Sequence, residues 1–443
     1  MIRIYLKKIM KQFFVLMVSS TLLLSCDKSK EINATTSDTI TVADTSMDLP
    51  APYATESAKK FSKALGWPDG LKPTAPAGFI VEKFADKLEN PRWLYVLPNG
   101  DVLVAEAGTK GAIKSAVAFV SGSSKSRLSS GSADRITLFR DTNKDGIPDV
   151  RDVFLDDLNQ PLGMVLVDNT FYVANTDGVV AYSYTKGQTS ITAGGKKITD
   201  LPANGYNNHW TRNIIANGDG SRLYITVGSA SNIAENGIAD EVMRANILVM
   251  NIDGSDKKIF ASGLRNPVGA AFNPYTKTLW TVVNERDNLG DELVPDYLTS
   301  VQEGGFYGWP YSYWGQHLDP RMNGERMDLV KKAIIPEVSL GAHTASLGLA
   351  FYNHTAFPTR YHNGAFVGQH GSWNRSTFSG YKVVFVPFEK GKPSGVPQDF
   401  LTGFIANEDE VYGRPVGIVV LSDGSILVSD DSANTIWRVR VNK

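Results

Sequence analysis

Beyond residue 60 the apolar positions show little helical periodicity. One short unit recurs instead: a turn, an apolar stretch, a tight Gly, Asn or Asp turn, and a second apolar stretch. The clearest copies are Pro91-Arg92-Trp93-Leu94-Tyr95-Val96 with Asn99-Gly100-Asp101-Val102-Leu103-Val104, and Arg414-Pro415-Val416-Gly417-Ile418-Val419 with Asp423-Gly424-Ser425-Ile426-Leu427-Val428. Others begin at Pro161-Leu162-Gly163-Met164, Trp210-Thr211-Arg212-Asn213, Asn266-Pro267-Val268-Gly269 and Ala345-Ser346-Leu347-Gly348. Asn-Gly and Asp-Gly pairs supply the positive φ angles that tight hairpins demand, so each copy predicts a β-hairpin. The copies start at 91, 160, 210, 266, 345 and 414. Their mean spacing, about 65 residues, accommodates four short strands and their loops. Four-stranded sheets repeated radially make a β-propeller, so the predicted fold is all-β, a six-bladed β-propeller over residues 61–443. Ile436-Trp437-Arg438-Val439 is placed to close the ring. The alternative is a pair of β-sandwiches. In a propeller the site is expected over the central channel, on loops leading into the innermost strands.

The first 25 residues differ in kind. Arg3, Lys7, Lys8 and Lys11 precede the apolar run Phe13-Phe14-Val15-Leu16-Met17-Val18, with no acid among them. A basic segment before a short apolar one reads as a secretory signal, too short for a stop-transfer helix. It ends in Leu23-Leu24-Ser25-Cys26, which resembles the bacterial lipobox, whose cysteine is lipidated and becomes the mature N-terminus. Residues 26–60 are rich in Ser, Thr, Asp and Ala and are expected to form a flexible stalk. The protein is therefore expected to be exported and lipid-anchored to a membrane of the bacterial envelope, at a periplasmic or cell-surface face.

Composition sharpens the reading by exclusion. A net charge of -1 gives no electrostatic footprint for nucleic acid. The single cysteine rules out internal disulfides, Cys-rich zinc sites and a covalently attached c-type haem. Among the six histidines there is no His-x-x-x-His pair on a predicted helix, and there is no Gly-x-Ser-x-Gly elbow. His209 stands out because Tyr206-Asn207-Asn208-His209-Trp210-Thr211-Arg212 comes just before an innermost-strand candidate. Arg265-Asn266 and Arg414 stand at the corresponding place in the fourth and sixth copies, where guanidinium forks would suit a planar anion. After the fourth copy, Asn284-Glu285-Arg286-Asp287-Asn288-Leu289-Gly290-Asp291-Glu292 is an acidic loop with oxygens to offer a hard cation, or a solvated turn. Asp141-Thr142-Asn143-Lys144-Asp145-Gly146-Ile147-Pro148-Asp149-Val150-Arg151-Asp152 fits an EF-hand-like calcium loop with ligands at Asp141, Asn143, Asp145, Ile147, Asp149 and Asp152. Asp stands there where the last ligand is usually Glu, and flanking strand-like segments leave a plain hairpin turn as the alternative.

Taken together, these stretches resemble the glucose/sorbosone dehydrogenase family, six-bladed propellers that use pyrroloquinoline quinone (PQQ) and Ca²⁺ to oxidise sugars. The similarity covers roughly residues 75–441 and is closest to the sorbosone and pyranose dehydrogenase branch. It rests on Asn284-Glu285-Arg286-Asp287, Gly290-Asp291-Glu292-Leu293-Val294-Pro295-Asp296 and Gly305-Phe306-Tyr307-Gly308-Trp309-Pro310. The resemblance implies that His209 is the general base, taking the hydroxyl proton while hydride passes to the quinone. It implies that Arg265 stabilises charge on the quinone oxygen, with Asn266 its neighbour at the cofactor, and that Arg414 and Arg375 hold the cofactor. The catalytic Ca²⁺ would be held by backbone carbonyls of Arg286, Asp287 and Asn288. Glucose-oxidising members carry Gln-Gly-Pro at that loop, and Tyr412 replaces the first of two nearby arginines. The implied partners are a sugar and an external electron acceptor, a cytochrome or a quinone. Two other readings stay open: a non-catalytic propeller that binds glycan or protein, and a calcium-dependent lactonase, which would need a set of acidic or Asn ligands in the channel.

Overall fold

The computed structural model describes residues 47–110, 122–129 and 131–442. The signal segment 1–25, Cys26 and residues 26–46 lie outside the described residues. Six four-stranded sheets form the ring. Blade one is Pro91–Val96, Val102–Glu106, Arg135–Arg140 and Val150–Leu155; blade two is Met164–Val167, Thr170–Asn175, Gly178–Ser183 and Lys196–Asp200. Blade three is Ile214–Ala216, Arg222–Val227, Asn246–Asn251 and Lys258–Ser262; blade four is Pro267–Phe272, Leu279–Val283, Pro295–Ser300 and Val338–Ala342. Blade five is Ser346–Phe351, Ala365–Gln369, Lys382–Val386 and Gln398–Leu401. Blade six takes Pro415–Val420, Ile426–Asp430 and Thr435–Val441 from the C-terminus and Phe79–Ala85 from the N-terminal side, so the expected closure pairs the two ends of the propeller antiparallel.

Each repeated hairpin supplies the two inner strands of one blade. Both faces of a blade are covered, which is why the strands read as nearly continuous apolar runs. In Val102–Glu106, Leu103 and Ala105 pack into the core shared with blade two, and Val102 and Val104 into the core shared with blade six. Each buried Val or Leu among them contributes ~1.5–3 kcal/mol.

The glycine repeated within the hairpin motif has a separate cause, because innermost strands of neighbouring blades meet backbone to backbone. A Cβ at Gly163 would lie 2.2 Å from Ile214 N, one at Gly269 2.6 Å from Leu347 O, and one at Gly348 2.0 Å from Val416 O. At Gly417 it would meet Arg92 O at 2.7 Å, where the ring closes. Gly348→Ala is therefore expected to cost about 1–3 kcal/mol by overpacking. A urea midpoint equal to that of the unsubstituted protein would show that the fifth and sixth blades do not depend on this approach.

Because the strands of each blade run antiparallel, its connections alternate between the two ends of the propeller. Loops that enter the first strand and loops that join the second to the third share one end. The segment 141–149, between the third and fourth strands of blade one, lies at the other end.

Composition assigns residues 26–60 to a flexible stalk, but the described part is held to the propeller. Tyr53 N donates to Leu289 O (2.8 Å), and Lys60 N to Trp373 O (2.8 Å). Thr55 Oγ1 and Ser57 Oγ accept from Asp291 N (2.7 Å) and Gly290 N (3.0 Å). Met47 and Leu49 pack on the core between blades three and four, and Phe61 stacks on Trp373. Short hydroxyl side chains, read as marks of a flexible linker, here serve as acceptors for a loop's N–H groups.

Candidate active site

His209 ends a loop that its own neighbour staples. The buried Arg212 guanidinium donates to the carbonyls of His209 (2.7 Å), Thr211 (2.9 Å) and Pro202 (2.7 Å) and to Asn207 Oδ1 (3.1 Å). Gly228, after the second strand of blade three, lets three segments converge: a Cβ there would lie 2.3 Å from Asn266 Oδ1 and 2.6 Å from His209 Cβ. His209 Nδ1 faces Ser229 O at 2.9 Å and Ser229 Oγ at 3.0 Å. That hydroxyl donates to Ser231 O (2.6 Å), so both Ser229 oxygens act as acceptors and Nδ1 carries the proton. Nε2 is left with its lone pair and makes no hydrogen bond among the described residues. Burial, then the charge of Arg265, pushes the imidazole pKa down to about 3, so the ring is neutral at physiological pH.

Arg265 and Asn266 enter from the adjoining loop of blade four. The Arg265 fork is fully engaged: Nε to Asn232 O (3.0 Å), Nη1 to Asn284 O (2.9 Å) and Glu285 O (2.5 Å), Nη2 to Asn232 Oδ1 (2.8 Å) and Asp287 Oδ2 (3.3 Å). All five donors expected to serve a ligand are taken by the protein, and what Arg265 offers the mouth is charge. Asn266 Oδ1 is buried without a partner. Asp287 also faces His343 Nδ1 (3.3 Å), whose Nε2 donates to Gly290 O (2.9 Å). Burial opposes ionisation of both groups, but their mutual attraction, with Arg265 added, holds Asp287 low and His343 high.

The loop carbonyls expected to hold Ca²⁺ do not fit that ion. The buried Arg286 guanidinium curls back onto them, Nε to Asp287 O (3.0 Å) and Nη2 to Asn288 O (3.4 Å), and is pinned by Asp319 (2.8 Å). A cation at those oxygens would meet a fixed positive charge. At the far end of the propeller, the 141–152 segment is a hairpin in which most of the expected ligand side chains cap their own loop, while Asp141 Oδ1 is buried without a partner. Gly146 N donates to Asp141 Oδ2 (2.7 Å), Asp145 N to Asn143 Oδ1 (2.9 Å), Ile147 N to Asp145 Oδ1 (2.8 Å) and Thr142 N to Asp149 Oδ2 (2.7 Å). Asp152 lies in the following strand, opposite Leu138. Among the described residues no three His, Cys, Asp or Glu side chains form a metal-binding group.

Arg414 lies across blades five and six, with Nε to His370 O (2.9 Å), Nη2 to Gly371 O (2.7 Å), and the guanidinium over the Tyr381 ring. Arg375, expected beside it at the cofactor, is turned to Glu292 (2.6 Å). Beside Arg414 the structure brings residues that the hairpin motif did not single out. Asp431 bridges Arg92 Nη1 (2.6 Å) and His370 Nε2 (2.8 Å), and Arg92 lies over the indole of Trp210, next to His209. Ser229, Asn284, His370 and Asp431 all follow the second strand of a blade, the other connection that reaches this end. That exit was the available signal.

The TrAA12-like family model matches residues 73–304 and 315–442, and the chain belongs to that family. The resemblance expected from the sequence thus holds at family level. A PQQ-dependent pyranose dehydrogenase of Coprinopsis cinerea is 26% identical over 341 residues, covering 60% of this chain and 44% of the fungal one. The aldose sugar dehydrogenase YliI of Escherichia coli is 34% identical over 109 residues, 24% of this chain and 27% of its own. The chain thus spans less than half the length of these two curated relatives. Among solved structures, the holo PQQ domain of the Coprinopsis enzyme superposes with a TM-score of 0.67 at 21% identity, covering 86% of this chain and 100% of that one. A calcium structure of the Trichoderma reesei family AA12 enzyme gives 0.68 at 20% identity, covering 84% and 97%. These likenesses show the six-bladed fold.

Proposed function

We propose that the protein oxidises a sugar or sugar aldehyde at the channel mouth, with PQQ as its cofactor and His209 as general base. The observation that carries this reading is the fixed tautomer of His209, which leaves its Nε2 lone pair open on a loop that meets the Asn266 loop at Gly228. Among the described residues, Asn266 Oδ1 and the guanidiniums of Arg92 and Arg414 fit a polar, anionic cofactor. When bound, the quinone supplies the acceptor for the hydride. The chain's own share is the proton: His209 Nε2 accepts it from the sugar hydroxyl, and the Ser229 oxygens steady the imidazolium by keeping both bonds to Nδ1–H. Arg265 keeps the base deprotonated until substrate arrives. The electron pair then has to leave to an external cytochrome or quinone, and lipid on Cys26 would keep the protein beside a membrane. Loss of labelled-palmitate incorporation in Cys26→Ser would support that anchor; equal labelling would refute it.

The test is reconstitution of the purified protein with PQQ, with and without Ca²⁺, and dye reduction assayed with aldoses, ketoaldoses and polyols. Absence of both cofactor binding and dye reduction overturns the reading. The lactonase alternative draws no support from a site in which no acidic cluster converges among the described residues.

A further inference from the structure

The connection after the second strand of blade three, residues 228–245, folds back on itself beside the base. Its first turn is tied to the site on several sides. Ser229 N donates to Arg265 O (2.8 Å), the Ser229 oxygens receive His209 Nδ1–H, and Ala230 O accepts from Asn208 N (2.8 Å), one residue before the base. A buried carboxylate from later in the same connection gathers that turn. Glu241, the last residue of the short helical turn Ile238–Glu241, accepts from Ala230 N (2.7 Å), Ser231 N (3.1 Å) and Ser231 Oγ (2.7 Å). Hydrogen bonds to an ionised acceptor are roughly twice as strong as neutral ones, so three on one carboxylate make a firm anchor. Three residues on, the buried Arg244 reaches the other side of the base: Nη1 donates to Asn207 Oδ1 (2.6 Å) and Nη2 to Asn204 O (3.2 Å). Arg212, which staples the His209 carbonyl, holds the same Asn207 oxygen (3.1 Å). Glu241 and Asp240 offset the charge of Arg244 beside the like-charged Arg212. Met243 and Ala245, on either side of Arg244, have φ of 59° and 52°. Residues with a Cβ persist in that left-handed region only where surrounding contacts over-determine the backbone.

We infer that Glu241 and Arg244 form a brace that fixes His209, Glu241 through the Ser229–Ser231 turn and Arg244 through Asn207. The inference rests on the reading of His209 as general base. Both are positioning residues: neither bonds the imidazole, and each acts on a segment that holds it. Their effects differ. Glu241 sets the orientation of Ser231, whose carbonyl takes the Ser229 hydroxyl proton (2.6 Å) and so turns the Ser229 Oγ lone pairs toward Nδ1–H. Once that carbonyl swings away, Ser229 Oγ can donate to Nδ1 instead. The ring proton then passes by way of solvent to Nε2, and the lone pair that takes the sugar's proton is lost. Arg244 fixes where the loop 204–209 stands, not which ring nitrogen carries the proton.

The test is ¹⁵N NMR of the full chain labelled at histidine, with the His209 signals assigned by their loss in His209→Ala, beside steady-state kinetics of the PQQ-loaded protein with a sugar from the panel above. The unsubstituted protein should show His209 protonated at Nδ1 and bare at Nε2. Glu241→Gln sets an amide NH₂ against the N–H groups of the turn, donor against donor. It should give a mixture of both tautomers and lower kcat about 10- to 100-fold, the cost of roughly 1 Å of displacement, with KM and PQQ affinity unchanged. Arg244→Gln should lower kcat and keep the single tautomer. Ser231→Ala removes one of the three bonds to Glu241 and tests the same arm should Glu241→Gln fail to fold; it should give a minor second tautomer. Glu241→Gln, or in its absence Ser231→Ala, with the single Nδ1–H tautomer intact overturns the inference, whatever happens to kcat. If the tautomer shifts as expected but the unsubstituted protein with PQQ oxidises no sugar, the brace stands and the reading of His209 as base falls.

Discussion

His209→Ala is expected to bind PQQ close to normally and to lose turnover by about 10²–10⁴-fold, the usual contribution of a positioned base. The two halves of that result come from different parts of the mouth. On the proposed reading, affinity rests on the guanidiniums of Arg92 and Arg414 and on Asn266, none of which bonds the imidazole. Turnover rests on Nε2, the one ring atom that the Ser229 oxygens leave available. The pH profile gives a second readout. A base held at about 3 stays deprotonated far below pH 6.5, so kcat/KM of the active enzyme should show no acid limb at the ordinary histidine value. Removing the neighbouring charge in Arg265→Gln should move the limb upward, since a lost cation makes protonation easier. An acid limb centred at 6.5 in the unsubstituted enzyme, or turnover retained in His209→Ala, would remove His209 from this role.

The propeller was legible in the sequence because its repeat carries two physical signatures. Tight hairpin turns favour Asn-Gly or Asp-Gly, as at 99–100, 219–220 and 423–424, and close approach of innermost strands needs the glycines at 163, 269, 348 and 417. His209, Arg265, Asn266 and Arg414 could be picked out because they sit a few residues before those strands. What lay beyond reach followed from side-chain direction. Nothing in the string Arg286-Asp287-Asn288 shows that the guanidinium folds back onto the next two carbonyls and is met by Asp319, 33 residues later. Nor does spacing show that Arg375 turns to Glu292. Arg92 was visible as a residue but not as a site, because only a bulge between Pro91 and Trp93 aims it at Asp431, 339 residues away. The second-strand exits carried a usable regularity, and reading only the entrances left it unused.

The carboxylate of Asp287 is where charge, stability and chemistry meet, and Asp287→Asn is expected to destabilise the fold by about 3–5 kcal/mol, the typical cost of breaking a buried ion pair. Two cations lose their counter-ion at once: Arg265 at 3.3 Å and His343 at 3.3 Å. The cost should depend on pH in a way that a packing defect would not. His343 has its folded pKa raised, so its share of stability is complete below about 6.5 and fades as pH rises through the raised value. Asp287 has its pKa lowered, so its share is complete above about 4 and fades as pH falls through the lowered value. The gap between the unsubstituted protein and Asp287→Asn should therefore be widest between about pH 4 and 6.5 and narrow on both sides. The Arg265 part alone should persist into alkaline solution. Urea unfolding across this range measures it directly, and a gap independent of pH would mean that His343 is not paired with Asp287. Turnover should fall as well, because Arg265 loses the contact that fixes its charge beside His209. Since Asp287 also raises the proton affinity of His209, the acid limb of Asp287→Asn should shift downward, opposite to the shift in Arg265→Gln.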